Sequence, residues 1–503
     1  MSSKRKALPP GWCWATVGDT GRYINGFAFK PAHREAAGRP IVRIQNLTDP
    51  KKPLNRTLLA VSEDFHVATG EILVSWSATV DVFVWNREPA LVNQHIFRVV
   101  PKEGVVDRAF LFYWLKIAID QLLKSEHLHG STMKHINRGP FMAHQIPLPP
   151  LAEQKRIVET LESLLSDLDA GMAELEAAQR KLAQYRQSLL KAAMEGALTV
   201  DWRATHGKPQ ETGAELLRRI LSERRARWEQ KQLAKFAEQG KTPPANWQAK
   251  YPEPVAPDLT DLPLLPEGWA WSSLSQVGWL DRGRSKHRPR NAPHLYGGPY
   301  PFVQTGDIRD ADTFIHKASA SYSEAGLAQS RLWPAETLCI TIAANIGKTA
   351  LLAMQACFPD SVVGFLAASD EVSVRYIEYF MRSAQQKLEA EAPATAQKNI
   401  NLEILERLPV PVPPSAEQIA LVERLSEAIS AARAQDDAIE HGIKQAVAQR
   451  KNLLKAAFAG QLVPQDPSDE SAFELLARIR AAREAKADVT TASKRGRKAK
   501  ETA

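Results

Sequence analysis

The sequence predicts a mixed α/β chain with an internal pseudo-twofold repeat: two globular domains, each followed by one long helix, the two helices pairing as an antiparallel coiled coil. Three observations predict it. Boundary motifs occur twice, they keep a nearly constant offset, and leucines recur every seven residues between two of the matched blocks.

The repeat comes first because the rest hangs on it. LPPGWCW at 8–14 is answered by LPEGWAW at 265–271, 257 residues on. IPLPPLAEQ at 146–154 is answered by VPVPPSAEQ at 410–418, and LLKAAMEGAL at 189–198 by LLKAAFAGQL at 453–462, both 264 residues on. Equal offsets at the two ends of the intervening segment give it the same length in both copies, as a rigid element requires. KHIN at 134–137 and KNIN at 398–401 keep that offset, and AELLRRI at 214–220 and FELLARI at 473–479 follow each copy at a shorter one. Six segments result: globular domains at 1–150 and 265–413, long helices at 151–198 and 414–463, a basic helix with a Pro-rich linker at 199–264, and a terminal helix with a basic tail at 464–503.

The long helices are legible directly. Pro149 and Pro150 cannot continue a preceding helix, and a proline pair just ahead of LAEQ suits a helix start. Leu161, Leu168, Leu175, Leu182 and Leu189 then recur at seven, with Ile157, Leu164, Ala178 and Tyr185 at the alternate spacing of a coiled-coil seam. The second copy carries Val422, Leu425, Ile429, Ala432, Ile439, Ile443, Ala446 and Leu453, interrupted near Asp436. Gly196 and Gly460 supply the stops. Each helix has about 43 residues and so a length of about 65 Å. Neither buries its stripe alone, so they pair with each other; the alternative is pairing with a partner protein or a second copy.

The globular segments read as short strands, among them 41–44, 71–75, 80–85 and 96–100, followed by one helix each, at 109–124 and 374–388. Beyond the shared blocks they diverge: RPIVRIQNLTD from Arg39 stands against YPFVQTGDIRD from Tyr300, and GEILVSWSATV from Gly70 against ETLCITIAANIG from Glu336. A common scaffold with different polar loops points to two different ligands of one class. Two half-sites on one DNA satisfy that.

Composition agrees. The 503 residues are 44% apolar, enough for ordinary cores, and the formal charge of +8 fits a nucleic-acid partner without requiring one. Cys13, Cys339 and Cys357 form no CxxC pair and are odd in number, so neither a zinc site nor a disulfide framework is expected, and the plain compartment is a reducing cytoplasm. MSSKRKALPPGW has no apolar stretch behind it and no run approaches 18 apolar residues, so neither secretion nor a membrane span is expected.

Catalytic constellations are missing. NIGKT at 345–349 resembles the end of a phosphate loop, but Ile342 stands where the first glycine of GxxxxGK(S/T) belongs, leaving a strand-end loop. There is no Asn/Asp-Pro-Pro-Tyr/Phe tetrapeptide of amino-methyltransferases, no Gly-rich turn for S-adenosylmethionine and no GxSxG, and His127 and His129 lack companion ligands.

With these blocks in hand, the chain resembles the specificity (S) subunit of type I restriction-modification systems over nearly all its length. The resemblance rests on LPPGW and LPEGW opening each globular part, PLPPLAEQKRIV and PVPPSAEQIALV opening each long helix, and LLKAAMEG and LLKAAFAGQLVPQDPSDESAFELLARI closing them. It implies two target-recognition domains, each reading one half of a split duplex DNA site, with the helices as a ruler between them. It also implies a non-catalytic chain with no cofactor of its own. Two methyltransferase (M) subunits bring S-adenosylmethionine and methylate adenine N6, and restriction (R) subunits use ATP and Mg2+. The missing methyltransferase motifs agree, since base chemistry on duplex DNA needs the base flipped into a partner's pocket. The competing readings are a specificity chain for a fused nuclease-methyltransferase and a coiled-coil DNA-binding regulator without enzymatic partners.

Reading bases in the major groove needs forked donors and acceptors on loops or strand ends. The candidates are Arg43, Gln45, Asn46, Ser75, Asn93 and Gln94 in the first domain, and Gln304, Thr305, Asp307, Arg309, Asn345 and Lys348 in the second. Each competes with a role as turn former or surface polar group. Lys134 and Lys398 match between copies, which assigns them to phosphate positioning or scaffold. Trp12 and Trp269 read as core anchors, with an exposed base-stacking role as the alternative. In the 199–264 segment, Arg218, Arg219, Arg224, Arg225 and Arg227 form a docking face, a phosphate contact or a solvated charged face. The tail SKRGRKAK from Ser493 is expected to be disordered and to add salt-sensitive DNA attraction.

Overall fold

A computed structural model describes residues 7–124, 135–391, 399–478 and 481. The chain divides into two units, Met1–Leu175 with Glu440–Ala503, and Glu176–Ile439. Lys134, Lys398, His127, His129 and the SKRGRKAK tail lie outside the described residues.

In the first unit, an antiparallel sheet has the order Gly21–Asn25, Ile96–Pro101, Ile72–Ser75, Asp81–Val84. Ile72–Ser75 is buried at every position, which is why it reads as a continuous apolar run instead of an alternating one. A second sheet has the order Asn55–Thr57, Arg39–Val42, Ala90–Val92, His66–Val67, and its middle pair is parallel. The predicted strand at 41–44 therefore shifts toward its N-terminus. Ile44 instead opens a short helix, Ile44–Thr48, because Asn46 turns back to cap the chain there. The helix Arg108–Lys124 packs Phe110, Leu111, Trp114 and Leu115 into the core beside the first sheet.

The second unit has a five-stranded sheet in the order Gly278–Arg282, Val362–Ala367, Leu338–Thr341, Thr349–Leu352, Phe314–Ile315, with the last pair parallel. Tyr296–Phe302 pairs with Ala320–Tyr322 beside it, and the domain helix is Val374–Glu391. Each domain is closed by the same two-stranded ribbon. Cys13–Thr16 pairs with Gln145–Leu148, and Ala270–Ser273 with Pro409–Val412, so that Trp14 faces Pro147 and Trp271 faces Pro411.

The long helices are Leu151–Met194 and Ser415–Phe458, 44 residues each. Within the first unit Arg450 ion-pairs with Asp169, and Leu175 lies 3.3 Å from where a Cβ on Gly442 would stand. Within the second, Arg186 bonds Asp436 at 3.2 Å and the Ala432 carbonyl at 3.0 Å. From Asp169 to Leu175 the partners fall from Arg450 to Gly442, and from Arg186 to the Leu198 carbonyl, just past the helix end, they fall from Asp436 to Arg424, so the pairing is antiparallel in both units. Asp436, where the second leucine-like pattern breaks, is the acceptor for Arg186. The alternate seam positions are uneven: Ile157 is buried in the first domain's core, but Leu164 is 38% and Tyr185 51% exposed. A two-helix pair covers only one stripe, and these two residues fall outside it.

Candidate nucleic-acid interface

The motif blocks that repeat along the sequence converge in space. In the first unit LPPGW meets the start of the first long helix and the end of the second; in the second unit LPEGW meets the start of the second helix and the end of the first. Trp12 and Trp269 are 7% and 8% exposed, as core anchors should be. A buried indole N–H needs an acceptor. Trp12 Nε1 donates to Glu153 Oε2 at 3.0 Å, and Trp269 Nε1 to Glu417 Oε2 at 2.8 Å. Gly460 and Gly196, with φ of 69° and 70°, end the helices so closely over these indoles that a Cβ would stand 3.2 Å from Cζ2 in each. The third echo joins the same knot: Gly213 N donates to Gly268 O at 2.6 Å and Ala472 N to Gly11 O at 2.9 Å.

The neighbouring glutamine of each AEQ anchors the domain helix. Gln154 Oε1 accepts from Asp107 N at 2.8 Å, and Gln418 Oε1 from Ser373 N at 3.1 Å, both one residue ahead of that helix. Each AEQ thus fixes the domain's first tryptophan and its main helix to the long helix. Sequence reasoning missed these carboxylate and amide roles. The signal was present: two AEQ blocks at constant offset from LLKAA, and two tryptophans without an assigned acceptor.

The two carboxylates differ in surroundings, although each is 1% exposed. Glu417 also takes the Arg203 guanidinium and the Thr199 hydroxyl, the latter at 2.6 Å. Glu153 has instead the neutral Gln465 amide at 3.3 Å. Burial raises the Glu153 carboxyl above the usual carboxylate range, and the Gln465 and Trp12 donors and the charge of Arg156 bring it only part of the way back.

In the first domain, Arg43 and Gln45 follow one strand of the parallel pair and Asn93 and Gln94 follow the other; Asn93 N donates to Val42 O at 3.1 Å, bringing the four together. Gln45 is exposed, whereas Arg43, Asn93 and Gln94 are half-buried. Asn46 and Ser75 have other work. Asn46, 3% exposed, accepts from Arg43 N and donates to the carbonyls of Lys52 and Pro53 at 3.3 and 3.1 Å. Ser75 is fully buried and its hydroxyl ties the Thr79 carbonyl. Both hold turns, because short polar side chains satisfy backbone groups as readily as base edges.

The second domain repeats this division. Asp307 accepts from Gln304 N at 2.8 Å and from the Ser319 hydroxyl at 3.0 Å, the same capping task as Asn46. Thr341 ties the carbonyls of Asn345 and Lys348 as Ser75 ties its own hairpin. Ala78 and Ala344, at φ of 59° and 65°, sit at the two hairpin tips in the left-handed region that alanine rarely enters. Gln304 is exposed, Thr305 and Asn345 half-buried, and Arg309 exposed but forked onto Asp310 at 2.6 and 2.7 Å. Arg309 and Lys348 line one cavity.

The basic helix at 213–238 divides its arginines between a solvated face and contacts to its own domain. Arg219 bonds Glu211 at 2.7 Å and Glu371 at 2.8 Å, Arg227 bonds Asp370 at 2.8 Å, and Glu223 accepts from Ser369. Arg224, 4% exposed, lies 3.6 Å over the Trp279 ring, Arg225 meets Glu229 at 3.2 Å, and Arg218 meets Glu215 at 3.9 Å. Arg219, Arg224 and Arg227 clasp the connector onto its own domain, at the loop 369–371 and at Trp279, whereas Arg218 and Arg225 pair along their own helix.

The thiols of Cys339 and Cys357 are pushed up by burial, and no group of three metal ligands occurs among the described residues. No helix among those residues is long and apolar enough to cross a membrane. What the domain ends offer is hydrogen-bond donors and acceptors on a rigid frame.

Comparison with known proteins decides the family. Residues 9–178 and 266–448 match the type I restriction modification DNA specificity domain, once per copy. The chain belongs to this family of type I specificity subunits. The type I restriction enzyme EcoBI specificity subunit of Escherichia coli is 24% identical across 95% of this chain and 94% of its own. The HsdS subunit of Thermoanaerobacter tengcongensis shares the fold at a TM-score of 0.51 and 16% identity, covering 92% of this chain and all of its own. A chain solved in work on assembly and conformational transition of the type I R-M system gives a TM-score of 0.65 at 16% identity, over 91% and 100% of the two chains. As a type I specificity subunit, the chain is a DNA-recognition component of a restriction-modification system.

Proposed function

We propose that each domain of this specificity subunit reads one half of a bipartite duplex DNA site, that the paired helices set the distance between halves, and that the chain itself performs no chemistry. The observation that carries this is the pair of matched knots, Trp12–Glu153 and Trp269–Glu417, beneath hairpins and short helices whose polar residues differ. A duplicated frame under unlike tips is what two half-sites of one DNA require. Two methyltransferase subunits dock on the helices and bring S-adenosylmethionine for methylation of adenine N6, and restriction subunits bring ATP and Mg2+.

The test is the host's methylation map before and after deletion of the gene. Loss of one split motif supports the proposal; an unchanged map, or loss of a continuous short motif, contradicts it. The ruler has its own test. One heptad added to each long helix lengthens the pair by about 10 Å, or roughly three base pairs of B-DNA. Mapped sites should keep both half-sequences with a gap about three base pairs wider, and an unchanged gap refutes the ruler.

A further inference from the structure

Four described residues other than glycine lie in the left-handed region, Ala78, Asp261, Glu336 and Ala344, at φ of 59°, 62°, 63° and 65°. An alanine held there brings its Cβ against a backbone carbonyl oxygen, a strain that glycine escapes. Ala78 and Ala344 occupy the same place in the two domains. Each lies at the tip of a hairpin whose first strand, Ile72–Ser75 or Leu338–Thr341, is flanked on its other edge by the antiparallel strand Ile96–Pro101 or Val362–Ala367. Each stands three residues past the hydroxyl that braces the tip: Ser75 donates to the Thr79 carbonyl and Thr341 to the Asn345 carbonyl. The repeated KHIN and KNIN blocks hold both tips from the side. Ile136 N donates to Trp76 O at 3.0 Å and Ile400 N to Ile342 O at 3.1 Å, while Ser77 bridges to His135 and Ala343 to Asn399.

The loops themselves are unlike, WSATV at 76–80 against IAANI at 342–346, and aligned on their braces they share only this alanine. The left-handed position at the foot of each hairpin is a control. Gly70, at φ 87°, and Glu336 donate alike, to Trp85 O and Leu352 O, each at 2.7 Å, and there the residue differs between copies. Left-handed geometry alone therefore does not call for alanine.

Both alanines are exposed, so packing within the domain does not account for their methyl groups. An exposed methyl kept twice on a braced tip, despite backbone strain, has its partner outside the chain. The two half-sites differ in sequence, yet each holds an A·T pair if an adenine is methylated in each. On the major-groove edge of that pair the apolar group is the thymine C5-methyl, and alanine is among the side chains that contact it.

We infer that Ala78 and Ala344 each set their methyl group against the C5-methyl of a thymine, one in each half-site. The inference rests on the half-site reading proposed above and adds to it a contact common to both halves.

The test uses the full-length chain with its methyltransferase subunits and a duplex carrying the mapped site, in which each thymine of the two halves is replaced in turn by uracil, a base that lacks only the C5-methyl. Wild type should bind about fourfold more weakly when one thymine in each half is replaced, the worth of one buried carbon. Ala78→Gly should bind the unsubstituted duplex about fourfold more weakly and become indifferent to the replacement in one half alone, and Ala344→Gly should do the same in the other half. Both variants should melt no lower than wild type, since glycine is unstrained at these angles, so misfolding does not mimic the result. A wild type indifferent to every replacement, a half-site without thymine, or a uracil effect that survives in the glycine variants overturns the contact while leaving the half-site reading intact. Absence of a split mapped site, or a wild-type complex that does not prefer it, overturns both. If the glycine variants shed their methyltransferase subunits while the uracil effects stay the same, the tips face protein and the thymine assignment is wrong.

Discussion

Glu153 and Glu417 form the same bond to the same tryptophan in two copies of one frame, yet one is matched by a guanidinium and the other by a neutral amide. The difference teaches which part of the knot the fold demands. The indole-to-carboxylate bond is kept in both; the charge beneath it is not. An ionised carboxylate buried beside Arg203 is stabilised as a pair, whereas the one beside Gln465 has hydrogen bonds and only the charge of Arg156, which is itself paired with Asp469.

Breaking the charged member should give the largest effect. Arg203→Ala leaves Glu417 buried with only Trp269 and Thr199, at a cost of about 3 kcal/mol. Gln465→Ala removes one long hydrogen bond from Glu153, at a cost of about 1 kcal/mol. Hydrogen exchange reads both locally, since the Gly213 and Ala472 amides close the two knots onto Gly268 and Gly11. Exchange at Gly213 should accelerate by roughly a hundredfold in the first variant, and at Ala472 by less than about tenfold in the second, at about 1.4 kcal/mol per tenfold. Equal effects would mean the two settings are energetically alike.

The smaller effect is in pH. The Glu153 carboxyl is raised in the folded chain, so the native state holds its proton more tightly than the unfolded one. The penalty of its charge is full above the folded value and relieved as pH falls through it, and it is gone below the ordinary carboxylate range. Protection at Ala472, corrected for intrinsic exchange, should therefore rise as pH is lowered toward the ordinary carboxylate range. Glu153→Gln should flatten that trend, and the difference between wild type and variant removes the opposing contribution of His144, whose imidazole burial holds below its ordinary range. A trend that persists in Glu153→Gln would assign it elsewhere.

The frame was largely legible in the sequence because a repeat states its own boundaries. LPPGW, AEQ and LLKAA marked the elements that meet at the knots, and the long helices fall within a few residues of their expected ends. The reading ends were less legible. Asn46, Ser75 and Asp307 have the side chains a base reader needs, but hydrogen-bond chemistry alone does not separate an amide that caps a turn from one that faces a groove. The connector arginines leave docking, phosphate contact and solvation open in the sequence because the partners of Arg219 and Arg227, at 369–371, are more than a hundred residues away.

The central claim is that the two domains read independently from a common frame. Replacement of residues 265–413 by the corresponding domain of another type I specificity subunit, leaving both AEQ blocks and both long helices in place, tests it most directly, with methylated sites mapped across the genome. The account predicts that one half of the recognised sequence changes while the other half and the gap stay as they were. A change in both halves, or a recognised sequence that does not change at all, would contradict it.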